Sequence, residues 1–426
     1  MLPRRTLLAS AAALAAGCGP FRSTIPAPSV PKAVELYWAV SLYSSVFDPP
    51  GLSPREKYQQ AVAAIAADRE KSLGSSGTDS RITLHYVERQ PRLAEFGAWL
   101  EGAEVDLVTV SPERARAAGD NGELLPLDRF LGSNDPAIEA TFFPSVLEQF
   151  RTNALYALPV SARPLVVYYA ADYFAAERIP PIDQRWDWEV LVRNALKLTQ
   201  RRDDGSVARW GLEAHGSQIW WALWQNDADL ADSATLHCRL PESAAVEALQ
   251  FVHDLVHTHR VSPPAVYEDL MRLVWQPTGV PPAMVYGITP RRPGTGQYRI
   301  AELPRGKVRS VPVSAGFGIG IAARTKAPQV AYEALKGLVH ALQDKVAVPA
   351  EIEALARLKD FRIDLRNEEV VALQRSMESG HEMPRLPQGE PVLHAMDTVV
   401  EGLVRGDDVT SVVNQACAIV REYEQT

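Results

Sequence analysis

The chain has 426 residues, 46% of them hydrophobic, and a formal net charge of −8. That length supports two or three packed cores rather than one. The acidic balance, with no segment where Lys and Arg cluster, argues against a nucleic-acid partner. Three cysteines, Cys18, Cys238 and Cys417, build neither a disulfide framework nor a CxxC metal site.

Arg4 and Arg5 open the chain, the apolar stretch Leu7 to Ala16 follows, and small residues lead into Gly17-Cys18. This is the layout of a signal peptide over residues 1–18. Ala15-Ala16-Gly17-Cys18 has the form of a lipobox, so Cys18 is the expected site of lipidation and the anchor to the membrane. Arg4-Arg5 also fits a twin-arginine signal, which leaves the export route open. Residues 19–32, with four prolines and no apolar periodicity, read as an extended tether. Beyond it no apolar run reaches the ~18 residues of a membrane span.

The folded part begins with a β-rich run, Val34 to Val40, and a helical pattern follows over Pro54 to Ser72. Ile82 to Val87 reads as a strand, Ala94 to Leu100 as a helix, and Val105 to Val110 as a continuous apolar strand of the kind buried in a parallel sheet. The alternation resumes with strand Leu165 to Tyr169, helix Trp188 to Thr199 and the amphipathic helix Ser243 to Thr258. Ala331 to Leu342, Val370 to Ser376 and Val409 to Glu424 make the C-terminal part mostly helical. Strands and helices in this order predict α/β layers with parallel-rich sheets.

Several segments carry a family likeness. Asp106-Leu107-Val108, the turn Gly122 to Asp128, Leu155 to Pro159 followed by Val167-Tyr168-Tyr169, Trp186-Asp187-Trp188-Glu189, Ala195 to Thr199, Trp224-Gln225-Asn226, Ala283-Met284, and the stretch Ala301 to Gly318 occur in order. Together they resemble family 1 solute-binding proteins of ABC importers, the group that includes maltose-binding protein. Asp227-Ala228 stands where that family has two glycines, and Ala170 where it has an asparagine.

The resemblance implies a two-lobed periplasmic-binding-protein fold with hinged, discontinuous lobes, crossing near Pro159, Ser314 and residue 350. The lobes are expected at 33–158 plus 315–350 and at 162–312 plus 351–426. It also implies binding without chemistry: capture of a carbohydrate, delivery to ABC transporter permease subunits, and no cofactor. The chain is then a monomer outside the cytoplasm, in the periplasm or at the cell surface, held by its lipid.

Carried over residue by residue, the implied ligand contacts are Tyr43 after the first strand, Ser111, Glu113 and Arg114 after the third, and Arg163 after the first crossover. His215, Ser217 and Gln218 follow in the loop before the tryptophan helix, with Tyr286 after Ala283-Met284. On the helix, Trp220 and Trp224 share a face while Trp221 points away from it, which makes Trp221 the stacking candidate. Arg163 and His215 replace acids of maltose-type members, so the alternative ligand is an anionic sugar or polyol derivative such as a glycerol phosphate.

Two further features of the sequence bear on chemistry. His253-Asp254-Leu255-Val256-His257 spaces two histidines as in zinc proteases, which would make the chain a secreted metallohydrolase. Asp254 stands at the required glutamate and no third ligand is evident, so a solvated helix face and no metal is the expectation. Cys238 and Cys417 are read as two buried thiols, with pairing left open.

Overall fold

The computed structural model describes residues 33–40, 60, 63, 81–88, 104–130, 136–183, 185–213, 220–232, 235, 237–264, 280, 282–288, 298–308, 310–361, 365–382 and 389–424. The expected helices at 54–72 and 94–100 lie outside this set except for Gln60 and Ala63, which are helical.

In chain order, strands Ala33–Val40 (β1), Arg81–Glu88 (β2) and Leu107–Val110 (β3) come first. Helix Pro112–Asp120 (α1) follows, with Ser111 as its N-cap and Pro112 in the first turn, where a missing N–H leaves no bond unmade. Then come Ala157–Pro159 (β4) and Ala162–Ala170 (β5), the latter rich in β-branched and aromatic residues. Helix Trp188–Leu198 (α2) starts at Asp187, whose carboxylate accepts from Val190 N at 2.9 Å.

A short hairpin, Gln200–Arg201 (β6) and Val207–Arg209 (β7), precedes helices Trp220–Gln225 (α3) and Ser243–Val256 (α4). Strands Met284–Ile288 (β8), Tyr298–Ala301 (β9), Val311–Ala315 (β10) and Gly318–Ile321 (β11) follow. The chain ends with helices Pro328–Leu342 (α5) and Asn367–Glu378 (α6), strand Gly380–Glu382 (β12), and helices Gly389–Arg405 (α7) and Val409–Glu424 (α8).

These strands build two larger sheets. The first has the order β2-β1-β3-β11-β4. Its β1, β2 and β3 are parallel, with Ala33 opposite Arg81 and Trp38 opposite Leu107, and all four β3 residues are buried, as a strand covered on both faces must be. Strand β11 runs antiparallel to β3 and to β4.

The second sheet has the order β12-β10-β5-β8, with β9 also paired to β5. Here the expectation of a parallel-rich sheet is corrected: β5 is antiparallel to β8, β9 and β10, and the parallel pair is β10–β12. Strand β5 sits between β8 and β10, and every strand paired to it runs against it, so most pairs of this sheet are antiparallel.

The motif residues hold this frame together. Asp106 accepts from Tyr37 N (2.9 Å) and from Thr325 Oγ1 (2.6 Å), tying β1 to the segment after β11. Asp128 accepts from Leu155 N (2.7 Å) and pairs with Arg151, fixing the entry to β4. Asn226 Nδ2 donates to Ala244 O (2.6 Å), joining α3 to α4, and Asp227 beside it adopts φ 60°, a left-handed conformation that glycine takes more readily.

Helices α7 and α8 pack against each other and on α4. Cys238 and Cys417 are both buried and joined as a disulfide, which corrects the reading of two free thiols and ties the segment before α4 to α8. Among the described residues no helix is long and apolar enough to cross a membrane.

Candidate functional site

Among the described residues the chain passes from one sheet to the other three times: at Val160–Ser161 between β4 and β5, at Gly316–Phe317 between β10 and β11, and at 346–351 after α5. The passages are bonded to one another. Val160 N donates to Phe317 O (2.9 Å), Gly316 N to Ser161 O (2.8 Å), Ala162 N to Val348 O (2.9 Å) and Ala350 N to Val160 O (3.3 Å).

Two buried glutamines complete the junction. Gln343 Oε1 accepts from Ala350 N (3.0 Å) and Glu351 N (3.2 Å) while its amide donates to Val339 O (3.1 Å). Gln149 Oε1 accepts from Ala315 N (2.9 Å) and its amide donates to Val313 O (2.9 Å). Backbone groups that leave a sheet here would otherwise be buried without partners, at a cost of about 1–3 kcal/mol each.

Strand direction locates the open end of each sheet. Val110, the last residue of β3, pairs with Gly318, the first of β11, so β1, β2 and β3 all run toward the passages. In the second sheet β5 starts at the passages, and β8, β9 and β10 run antiparallel to it; these three strands and β12, which is parallel to β10, therefore run toward the same end. Ligands of open α/β sheets bind outside the carboxyl ends of their strands. The two sheets present those ends to the same junction.

The predicted residues fall into three groups. Ser111, Glu113 and Arg114 stand at the start of α1, directly after β3, with Ser111 Oγ accepting from Arg114 N at 3.4 Å and Glu113 exposed. Arg163 is the second residue of β5, opposite Ser314, and its Nε stands 3.4 Å from the place a Cβ on Gly316 would take. These four lie around the passages from both sheets.

Trp221 and Tyr286 form a second group, and here the expectation of cleft-facing rings is corrected. Trp221 is 1% exposed and Tyr286 0%, and they meet edge to face at 4.9 Å, with Trp188 at 5.8 Å and Phe251 at 6.2 Å from Trp221. All six residues of α3 are buried, so the face opposite Trp220 and Trp224 is packed as well. Tyr43, His215, Ser217, Gln218 and Cys18 lie outside the described residues.

Glu213 was missed by sequence reasoning. It is 4% exposed, its backbone bridges β8 through Met284 O (2.8 Å) and Tyr286 N (3.0 Å), and burial pushes its carboxyl up to about 7. A carboxylate two residues before His215 was the available signal, but its burial depends on β8, which begins at Met284, far along the chain. The histidines of the HDLVH run are engaged in packing. His253 and His257 rings lie 4.6 Å apart, and His257 Nε2 meets Leu403 O at 2.8 Å. No group of three or more metal-binding side chains is found among the described residues.

No protein-family model matches the sequence. Solved structures do match it. A cyclo/maltodextrin-binding protein complexed with maltotetraose is 16% identical with a TM-score of 0.68, over 93% of this chain and 98% of that one. UspC of M. tuberculosis is 20% identical with a TM-score of 0.66, over 91% of this chain and all of that one (100%). The maltose/maltodextrin-binding domain of Bdellovibrio bacteriovorus bound to maltotriose is 18% identical with a TM-score of 0.60, over 92% and 100%. The chain has the two-lobed fold of ABC solute-binding proteins. The bonded passages are what joins the two sheets.

Proposed function

We propose that the chain is the extracytoplasmic solute-binding lipoprotein of an ABC importer, which captures a carbohydrate between its lobes and delivers it to a permease without altering it. The observation that carries this reading is the junction itself: β1, β2 and β3 of one sheet and β8 and β10 of the other point their carboxyl ends toward the place where the passages cross. A ligand touching both sides favours the closed arrangement by its extra contacts. The lobes are taken as 33–158 with 315–350 and 162–312 with 351–426. Solved proteins of this fold hold maltotetraose and maltotriose, which supports a saccharide here.

Ser111, Glu113, Arg114 and Arg163, together with Tyr43, His215, Ser217 and Gln218, are the proposed contacts, while Trp221 and Tyr286 support the wall from behind. A disulfide between Cys238 and Cys417 suits an oxidising compartment and so supports export. Cys18 is the proposed anchor. Arg163 favours a second ligand class, sugars or polyols bearing phosphate or carboxylate, because a guanidinium binds such groups bidentately.

A thermal-shift screen of the purified chain against maltose-series saccharides, monosaccharides and glycerol phosphate tests the reading. A ligand that binds only the folded state raises the melting temperature with concentration. A saccharide that does so supports the proposal; a zinc-dependent shift with no response to any saccharide or polyol would sink it.

A further inference from the structure

At the end of β5 remote from the passages lies a cavity of about 540 Å³, enclosed by the turn Pro181 to Asp183, by β9 and by the first turns of α6. Seven residue steps separate Ala162 from Tyr169, about 23 Å at ~3.3 Å per residue, so this cavity is not part of the strand-end junction. Pro181, Ile182, Ile300, Ala301, Val371 and Ala372 give it an apolar floor, and charged side chains line the rest.

Among the described residues, three polar groups of this lining have no hydrogen-bonded or ion-paired side-chain partner. Tyr169 pairs across the sheet with Arg299, so the two side chains share a face. Tyr169, which lines the cavity, is 6% exposed and packs its ring on Phe174 at 4.9 Å, yet its hydroxyl makes no hydrogen bond among the described residues. The guanidiniums of Arg299 and of Arg366, the N-cap of α6, form no ion pair among the described residues.

The surrounding carboxylates are otherwise engaged. Asp183 is held by Arg185 at 2.7 Å, Glu302 by Arg375 at 3.3 Å, and Glu369 accepts from Ile300 N (3.0 Å) and Arg366 N (2.7 Å). Glu368, exposed on the rim, is the remaining acid. Burial raises the Tyr169 phenol; Arg299 and Arg366 oppose this in part and the charges of Glu369 and Glu368 add to it, so at neutral pH it is a proton donor. The wall thus offers two cations, a buried hydroxyl donor and a helix N-terminus to one anionic group, and an apolar floor to the rest of the molecule.

We propose that this cavity is a second binding site, separate from the junction, for a small organic anion: a carboxylate carried on a short apolar body. Arg299 and Tyr169 take the carboxylate from below, Arg366 and the first turn of α6 from the rim. Its volume falls in the range of small-molecule sites.

Calorimetry on the folded chain with sodium hexanoate, sodium benzoate, hexanamide and inorganic phosphate tests this. The expected result is saturable binding of hexanoate or benzoate, with hexanamide and phosphate weaker by roughly tenfold or more. Arg299→Gln should weaken the carboxylate by about tenfold, and Tyr169→Phe, which removes only the hydroxyl, by several-fold. Arg366→Gln alters an exposed position and keeps the test valid if Arg299→Gln does not fold. The proposal is overturned if neither carboxylate binds, if the amide binds equally, if phosphate binds more tightly, or if the folded variants bind as the parent does.

Discussion

Gly316 and Ser161 touch where two interlobe passages cross: Gly316 N donates to Ser161 O at 2.8 Å, and a Cβ on Gly316 would stand 2.1 Å from Ser161 Oγ. A methyl group there overlaps the Ser161 hydroxyl and stands 3.2 Å from Ser161 Cβ, so the Ser161 side chain must turn away. Gly316→Ala should therefore cost about 1–3 kcal/mol of stability, the usual penalty of overpacking. Urea unfolding measures it, and adding Ser161→Ala should restore part of the loss because the two sites are coupled. An additive double variant would mean that the two passages are not in contact.

With one amide Gln343 joins its own helix at Val339, the end of β4 at Pro159 O (3.5 Å) and the passage at Ala350 and Glu351. Gln343→Leu keeps the volume roughly constant but leaves Ala350 N and Glu351 N buried without acceptors, so the loss should reach about 2–5 kcal/mol. Equilibrium unfolding of the variant reads this directly, and a change within error would show that the third passage finds other partners.

The Cys238–Cys417 bond closes a loop with a sequence separation of 179 residues. Replacing both cysteines by serine should destabilise the chain by about 2–5 kcal/mol. Thiol titration of the unfolded, unreduced protein should find neither cysteine free. Two reactive thiols would contradict the pairing.

Glu213 makes stability depend on pH. Its folded-state carboxyl sits at about 7 against an ordinary 4.5, because burial disfavours the charged form. The folded state therefore holds the proton more tightly than the unfolded one. Any contribution from this group is most favourable below pH ~4.5, is lost as pH rises toward ~7, and is flat above, for a total of about 3 kcal/mol at most. Glu213→Gln should remove that slope, leaving the variant relatively more stable than the parent at pH 8 than at pH 5. Parallel stability curves for the two proteins would rule out the buried carboxyl.

Much of the first sheet was legible because β1 and β3 are near-continuous apolar runs, and α4 and α8 carry apolar faces at helical spacing. The second sheet was less so. Strands β8, β9 and β10 are four or five residues long and gain their identity from pairing with β5, and the three-residue β12 from pairing with β10, which local periodicity does not encode. At the site, Arg163 and Ser111 fall beside the passages, but Trp221 and Tyr286 are enclosed because α3 is covered on all sides. Face arguments on a six-residue helix fail when both faces are buried. Gln149 and Gln343 gave no signal, since a glutamine that bonds a backbone far along the chain looks like any surface glutamine.

The central claim is that two lobes close over a saccharide at the bonded passages. Small-angle scattering of the chain, with and without a saturating concentration of the saccharide that most raises its melting temperature, tests this directly. The account predicts a smaller radius of gyration with ligand, and loss of both binding and compaction in Arg163→Ala. Binding without any change in radius would contradict it.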